Sequence, residues 1–122
     1  QKISASQVKK LKHSVIGFSC NYNAPRKHIG EVYCKIFGDK GAERFMQNWS
    51  PAHDLSFIAE GNLHGFISLG GSPHDFLAGK LLSKEAGAVC ASKGKNGDFN
   101  DRYIISAPNI HNEIVNLVYP LI

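Results

Sequence analysis

Apolar positions along the chain recur at two spacings, and the two spacings alternate. Short apolar runs rich in β-branched and aromatic residues, typical of strands, lie at residues 14–20, 63–69 and 103–107. Between such runs, apolar residues recur every three or four positions, as at residues 28–37, which is the spacing of one helix face. This alternation predicts an α/β fold with a mixed, largely parallel sheet flanked by helices.

Two of the predicted helices have well-marked ends. They begin at Ser-Pro pairs, with Ser50 and Ser72 in the N-cap position, and they end at Gly61 and Gly87. Asp75 comes three residues after Ser72, so its carboxylate is expected to close a capping box on the second helix. An acidic side chain is therefore predicted at the junction of a loop and a helix N-terminus.

Other segments carry weaker patterns. Residues 1–6 are interpreted as an edge strand, residues 44–49 as a second central strand and residues 88–91 as a short buried strand. Residues 94–101 are polar and rich in Gly, Asn and Asp, which predicts a hairpin or loop. Trp49 is expected to fill the core, and stacking on a base or sugar is the alternative. The candidate apolar contacts of the helix after Ser72 are Phe76, Leu77, Leu81, Leu82 and Ala86.

Bulk composition limits the class of protein. The chain has 122 residues, of which 43% are hydrophobic and 20% charged, as in one ordinary globular domain. No apolar run approaches the roughly 20 residues that a membrane-spanning helix needs. Cys20, Cys34 and Cys90 form no C-x-x-C pair, so we expect free thiols in a reducing compartment and a cytoplasmic location.

The net charge of +4 is unevenly distributed. Residues 1–40 hold eight Lys and Arg against two acids, and Lys9, Lys10 and Lys12 are the densest basic cluster. A basic patch of this kind is compatible with nucleic-acid binding. A solvated face is the favoured interpretation, because no aromatic residues interleave with these lysines. Neither a nucleic acid nor a membrane is therefore expected as a partner.

The second Ser-Pro helix also carries a family resemblance. Residues 74–79 (His-Asp-Phe-Leu-Ala-Gly) and 85–88 (Glu-Ala-Gly-Ala) resemble the C-terminal signature of the inositol monophosphatase family, Trp-Asp-x-Ala-(Ala/Gly)-Gly followed by Glu-Ala-Gly-Gly. Residues 17–18 resemble the family's Ala-Thr-Gly-Phe strand end, residues 44–62 its Arg-x-x-Gly-Ser-Ala-Ala-Leu-Asp-Leu segment, and residues 103–108 its Ile-Ala-(Ala/Gly)-Asn-Pro strand end. The four motifs occur in the family's order, and the resemblance extends over nearly the whole chain.

The resemblance implies a Mg²⁺-dependent phosphatase that hydrolyses a small phosphomonoester, inositol monophosphate or a related sugar or polyol phosphate, and that forms a homodimer. Asp75 matches the family's metal ligand, whereas composition alone would make it a helix cap. Three residues are candidates for binding the substrate, Ser50 and Ser68 through the resemblance and His74 through its place in the sequence. Ser50 begins a helix directed at the substrate, Ser68 falls where inositol-specific members carry an acid that holds a hydroxyl, and His74 is adjacent to Asp75. His74 packed at a helix start and Ser50 as a plain N-cap are the structural alternatives.

The family's other metal ligands have no counterpart here. Its N-terminal domain supplies a Gly-Glu-Glu motif and an Asp-Pro-(Ile/Leu)-Asp-Gly-Thr motif, and neither occurs in the 122 residues. We therefore expect residues 1–122 to be the C-terminal α/β domain of a longer enzyme, half of a layered sugar-phosphatase fold. The N-terminal metal-binding domain would be its partner. The isolated chain is expected to be inactive, because one carboxylate cannot hold a catalytic magnesium pair.

Departures from the family pattern leave the substrate open. His74 stands where the family carries Trp, Trp49 stands where it carries Gly, and Pro51 follows Ser50. A nucleotide bisphosphate, histidinol phosphate or fructose bisphosphate is an alternative substrate of the same fold. An alternative of another class is a non-catalytic domain that binds an anionic partner through its basic N-terminal region.

Overall fold

The computed structural model describes residues 2–122, which form a five-stranded sheet and four α-helices. The strands are β1 (Val15–Cys20), β2 (Arg44–Met46), β3 (Gly65–Leu69), β4 (Val89–Lys93) and β5 (Arg102–Ser106). The helices are α1 (Arg26–Ile36), α2 (Pro51–Glu60), α3 (Pro73–Glu85) and α4 (His111–Val118). Short 3-10 turns lie at Leu11–His13, Gly97–Phe99, Pro108–Ile110 and Tyr119–Leu121.

The sheet has the strand order β2-β1-β3-β5-β4. β1 pairs parallel with both β2 and β3, whereas β5 pairs antiparallel with both β3 and β4. The predicted α/β class with a mixed sheet and flanking helices is confirmed. Because β1, β2 and β3 run in the same direction, the loops after their carboxyl ends meet at one edge of the sheet.

Each face of the sheet is covered by a pair of helices, because both of its faces are apolar. Strand residues alternate between the two sides, so Ile67 and Ile104 pack with α1 and α4, whereas Phe66 and Ile105 pack with α2 and α3. The helices contribute mainly aliphatic side chains to these clusters: Val32, Ile36, Ile114 and Val118 on one side, and Leu55, Ile58 and Phe76 on the other. Both helix pairs are therefore fixed against the sheet.

Three strand predictions were wrong in position or existence. The segment at 44–49 gives the short edge strand β2 rather than a central strand, and the segment at 88–91 gives the opposite edge strand, β4, where Val89 is exposed. Residues 2–6 form no strand, and Gln1 lies outside the described residues. Instead Ala5 is buried, and its N–H donates to the Ala86 carbonyl (2.9 Å), so this segment crosses the end of α3 and has no sheet partner.

Helix α3 turns a different face to the core from the one its apolar residues indicate. Leu81 and Leu82 are 62% and 41% exposed, while Lys80 and Ser83 are buried. The reason is the close approach of α2, which needs small or polar groups: Ser83 Oγ donates to the Leu55 carbonyl (2.8 Å). The predicted helix ends are confirmed, because Gly61 and Gly87 both adopt positive φ (82° and 104°).

Lys80 ties α3 to the hairpin between β4 and β5. Its Nζ donates to the carbonyls of Asp98 (2.9 Å) and Asn100 (2.7 Å) and lies 3.9 Å from the centroid of the Tyr103 ring. Burial lowers the pKa of this ammonium group, and the nearby carbonyl oxygens and ring face compensate for its lost hydration. The polar hairpin predicted at 94–101 is confirmed.

Two predictions from composition can also be compared with the structure. Cys20, Cys34 and Cys90 are free thiols, as predicted from their spacing. Among residues 2–122, no helix has the length and apolar character to cross a membrane.

Candidate active site

A cleft of about 320 Å³ lies where the loops after the three parallel strands meet. Its walls are residues 19–22 from the end of β1, residues 49 and 51 from the segment between β2 and α2, and residues 70–72 and 75 from the segment between β3 and α3. The carboxyl end of parallel strands is the usual place for a binding site in such sheets. Of the four residues predicted to form the site, only Asp75 lines this cleft.

Asp75 is the third residue of α3, and its side chain is exposed in the cleft. Its backbone N–H donates to the Ser72 carbonyl (2.9 Å). Ser72 and Pro73 begin the helix as predicted. The predicted capping box is wrong, because neither the Ser72 hydroxyl nor the Asp75 carboxylate makes a capping hydrogen bond. No hydrogen bond found within residues 2–122 uses the Asp75 carboxylate, so both of its oxygens are open to a ligand.

Among residues 2–122, Asp75 is the one acidic side chain that lines the cleft. Within residues 2–122, no group of three or more His, Cys, Asp or Glu side chains is arranged to hold a metal. A carboxylate oxygen is nevertheless the ligand that Mg²⁺ prefers, and Asp75 has two that no other side chain uses. Asp75 therefore fits the role of one ligand to a hard cation, and the remaining ligands of such a site would have to come from outside the described residues.

Ser50 and His74 flank the cleft. Ser50 is half-buried in the N-cap position of α2, where its carbonyl accepts the Asp54 N–H (3.0 Å) but its hydroxyl makes no capping bond. His74 is exposed beside Asp75 on the first turn of α3. Within residues 2–122, neither the Ser50 hydroxyl nor the His74 imidazole takes part in a side-chain hydrogen bond. Their contacts with a substrate remain predictions.

Ser68 has a structural partner. It is 2% exposed, and its hydroxyl donates to the Asp101 carbonyl (2.7 Å) while accepting the Gly70 N–H (3.3 Å). Its proton is therefore used inside the protein, at the point where β3 turns into the loop before α3.

Asp101 supports the same loop and is not marked by any sequence pattern. One of its carboxylate oxygens accepts the Gly71 N–H (3.3 Å), while its carbonyl accepts the Ser68 hydroxyl proton. Asp101 reaches this loop because β5 pairs antiparallel with β3, which places the start of β5 beside the end of β3. Gly70 has a φ of 122°, a conformation that favours glycine, so the Gly-Gly loop is held in one shape from both sides.

Asp54 supports the other wall of the cleft. It is fully buried in the first turn of α2, and its Oδ1 accepts a hydrogen bond from the Asn48 side chain (2.9 Å). Its Oδ2 has no partner among the described residues and lies close to Gly17, where a Cβ would come within 3.0 Å of it. Burial raises the pKa of this carboxyl, while the Asn48 bond and His53 lower it. The Asp54–Asn48 bond fixes the segment that carries Trp49.

Trp49 was expected in the core, and that prediction was wrong. It is 58% exposed at the cleft wall, with a φ of 57°, and its ring stacks on Tyr22. The core has no place for it because β2 ends at Met46, and the chain then turns outward to reach the start of α2.

Comparison with known proteins gives consistent results. The Inositol monophosphatase family model matches residues 1–121. The Nus factor SuhB of Salmonella typhimurium is 38% identical over 65 residues, which are 52% of this chain and 24% of that protein. The solved structure of Mycobacterium tuberculosis SuhB superposes with a TM-score of 0.83 at 22% identity, over 98% of this chain and 46% of that one.

A third relative was solved with ligands. Inositol monophosphatase II of Staphylococcus aureus, in structures with inositol monophosphate or 2'AMP bound, superposes with a TM-score of 0.77 at 22% identity over 98% of this chain. The matched part is 46% of the 2'AMP-bound chain, so this sequence spans less than half the length of these relatives. At such identity the superpositions establish the fold, and the match to the family model extends through every element of it. The chain belongs to the inositol monophosphatase family.

Proposed function

We propose that this chain is the C-terminal half of a Mg²⁺-dependent phosphatase that hydrolyses a small phosphomonoester, such as inositol monophosphate or a related sugar or polyol phosphate. The observation that carries the proposal is the carboxylate of Asp75. It is exposed in the cleft, it makes no hydrogen bond within the described residues, and it occupies the position of the metal-binding Asp in the family signature.

The surroundings of Asp75 suit a phosphate as well as a cation. Helix α3 begins in the cleft, and the unpaired N–H groups of a helix N-terminus favour a negatively charged ligand. Mg²⁺ bound at Asp75 would neutralise the phosphate and lower the pKa of a bound water. The Gly70–Gly71 loop, fixed by Ser68 and Asp101, would keep the backbone near the ester free of side chains.

We propose that the carboxylates missing here come from an N-terminal domain encoded upstream, since the chain spans less than half the length of its solved relatives. Because the family signature and the cleft lie in this half, its role would be to supply one metal ligand and the walls that contact the leaving group. The homodimer implied by the resemblance and the cytoplasmic location expected from the cysteine pattern remain predictions.

The proposal is tested by replacing Asp75 with Asn in the product of the complete reading frame. We expect Mg²⁺-dependent phosphate release to fall about 100-fold or more, because the neutral amide is a much weaker ligand for a hard cation. Release of inorganic phosphate from inositol monophosphate is measured across a Mg²⁺ titration.

The matched control is Asp39→Asn. Asp39 is also exposed, and it lies beside Lys40 near the start of β1, at the opposite end of the strand from the cleft. This variant loses the same charge and is expected to keep the wild-type rate. Near-normal activity of Asp75→Asn, with an unchanged requirement for Mg²⁺, would show that Asp75 does not bind the catalytic metal.

A further inference from the structure

Helix α3 carries a fully buried lysine that lies outside the candidate active-site cleft. Lys80 is 0% exposed, and its Nζ lies over the rings of Phe76 (4.5 Å to the centroid) and Tyr103 (3.9 Å). Lysine is rarely buried in this way, because the ammonium group loses its hydration. The partners of this Nζ are two backbone carbonyls of the β4–β5 hairpin. These two hydrogen bonds are what an apolar side chain at the same position would not supply.

The hairpin that Lys80 binds is closed on itself by Asn100. The Asn100 side chain is buried, its Nδ2 donates to the Gly97 carbonyl (2.8 Å), and its Oδ1 accepts the Asn96 N–H (3.1 Å). The Lys80 Nζ donates to the carbonyls of Asn100 (2.7 Å) and Asp98 (2.9 Å). Lysine therefore fixes a closed hairpin to α3, rather than a single flexible residue.

Asp101 extends this connection to the cleft. The Asn100 carbonyl belongs to the peptide unit that leads into Asp101, and because peptide units are planar, fixing that carbonyl also fixes where Asp101 begins. The Asp101 carbonyl accepts the Ser68 hydroxyl proton (2.7 Å), and its carboxylate accepts the Gly71 N–H (3.3 Å). A continuous series of bonds thus leads from the core face of α3 to the Gly70–Gly71 loop.

Two further contacts place this loop relative to Asp75. Tyr103, whose ring lies against the Lys80 Nζ, is the direct cross-strand neighbour of Ser68 in the pairing of β3 with β5. Asp75 and Lys80 belong to the same helix, with Asp75 on its first turn. A hairpin that is fixed to Lys80 is therefore also fixed relative to the Asp75 end of α3.

We infer that Lys80 is a positioning residue of the candidate active site. It holds the β4–β5 hairpin so that Asp101 keeps the Gly70–Gly71 loop in a fixed place relative to Asp75. This inference rests on the proposed phosphatase function. Groups that surround a reacting ester must stay within about 0.5 Å of their productive positions, so a loosened loop should lower the rate of the chemical step more than the affinity for the ester.

The test is Lys80→Met in the product of the complete reading frame. Met has an unbranched side chain that adapts to the same space but donates no hydrogen bond. The N–H groups of Gly70 and Gly71 report on the loop, since they donate to the Ser68 hydroxyl (3.3 Å) and the Asp101 carboxylate (3.3 Å). Hydrogen exchange of these two amides, followed by mass spectrometry, is expected to become about tenfold faster.

Activity is the second readout of Lys80→Met. The kcat for inositol monophosphate, expressed per folded protein, is expected to fall about tenfold, while KM changes by less than about threefold. A residue that only stabilised the fold would lower the amount of folded protein and leave this kcat unchanged.

Lys84→Met is the matched control. Lys84 lies one turn further along α3 and reaches the same hairpin, but through an exposed salt bridge with the Asp98 carboxylate (3.0 Å). Exposed pairs of this kind contribute little, so the same change on the surface should leave the exchange of the loop and the kcat at wild-type values.

Asp101→Ala tests the other end of the connection without altering the core. It removes the acceptor of the Gly71 N–H, and it is expected to reproduce the faster exchange of Gly71 and the lower kcat even if Lys80→Met folds poorly. Since Lys80 acts through Asp101, the double variant should exchange no faster at Gly71 than either single variant does.

Wild-type exchange at Gly70 and Gly71 in Lys80→Met would overturn the inference. Faster exchange with an unchanged kcat per folded protein, or an equal rise of exchange throughout the molecule, would overturn it as well. The exchange measurement needs neither metal nor turnover. If the loop were loosened in Lys80→Met while the wild-type protein released no phosphate, the connection from Lys80 to the loop would stand and the proposed phosphatase would not.

Discussion

At the scale of single residues, burial separates the polar side chains of the cleft region by role. Ser68 and Asp54 are buried and bonded to neighbouring groups, so they determine the shape of the loops. Asp75 and Trp49 are exposed in the cleft, and neither contributes to the core. The position of Asp75 at a helix start was predictable from Ser72 and Pro73. The hydrogen bond from the Ser68 hydroxyl to the Asp101 carbonyl was not predictable, because it depends on the pairing of β3 with β5.

The imidazole of His64 makes the stability of the folded chain depend on pH. Its Nδ1 accepts the Val15 N–H (2.9 Å) where β1 begins, and burial lowers its pKa from 6.5 although Glu43 opposes the shift. The unfolded chain therefore binds a proton below pH 6.5 that the folded chain does not bind. Stability is then full above pH 6.5 and falls as the pH decreases toward the folded pKa, by up to about 1.4 kcal/mol per pH unit for each such histidine.

His64→Asn is expected to reduce this slope, because its amide oxygen can accept the same N–H and does not titrate. Urea unfolding between pH 5 and 7.5 measures the change. His111, whose pKa burial also lowers, keeps its contribution in the variant. An unchanged slope in His64→Asn would show that His64 is not linked to stability.

At the scale of secondary-structure elements, the contact between α2 and α3 determines where Asp75 lies. The two helices approach closely because Gly79 faces Leu55, and a Cβ built at Gly79 would lie 2.6 Å from the Leu55 Cβ. Ser83 Oγ bonds to the Leu55 carbonyl one turn further along. Since both helices begin at the cleft, their spacing also sets the distance between its two walls.

Gly79→Ala is therefore expected to destabilise the protein by about 1–3 kcal/mol, since the helices must separate to admit one methyl group. Gly30→Ala is the matched control: it is the same change inside α1, at a position with no atom within 4 Å, and should stabilise the fold by about 0.5–1 kcal/mol. Thermal and urea unfolding of both variants compare the two sites. Equal effects would show that the α2–α3 contact is not tight.

The contact between α2 and α3 also shows which features of the helices and strands could be predicted from the sequence. The helices and most strands follow from periodicity and from capping residues, which are local signals. The core face of α3 does not, because Gly79 and Ser83 face α2 while Leu81 and Leu82 are exposed. The edge positions of β2 and β4 also depend on strand order, which no local pattern records.

At the scale of the whole molecule, parallel pairing creates the candidate site. The carboxyl ends of β1, β2 and β3 lie together, and the segments that follow them supply every wall of the cleft. The described residues provide one carboxylate to this cleft and no three-residue metal cluster. The chain therefore has the fold of the part of its solved relatives that it matches, and residues 2–122 contain no complete set of ligands for a metal.

We propose that this chain provides one half of a magnesium-dependent phosphatase active site. The most direct test compares phosphate release by the 122-residue chain with release by the product of its complete reading frame, using inositol monophosphate and adenosine 2'-monophosphate with and without Mg²⁺. We predict Mg²⁺-dependent release by the complete protein and none above background by the chain alone. Release by the chain at the rate of the complete protein, or no release by the complete protein at any Mg²⁺ concentration, would contradict this proposal.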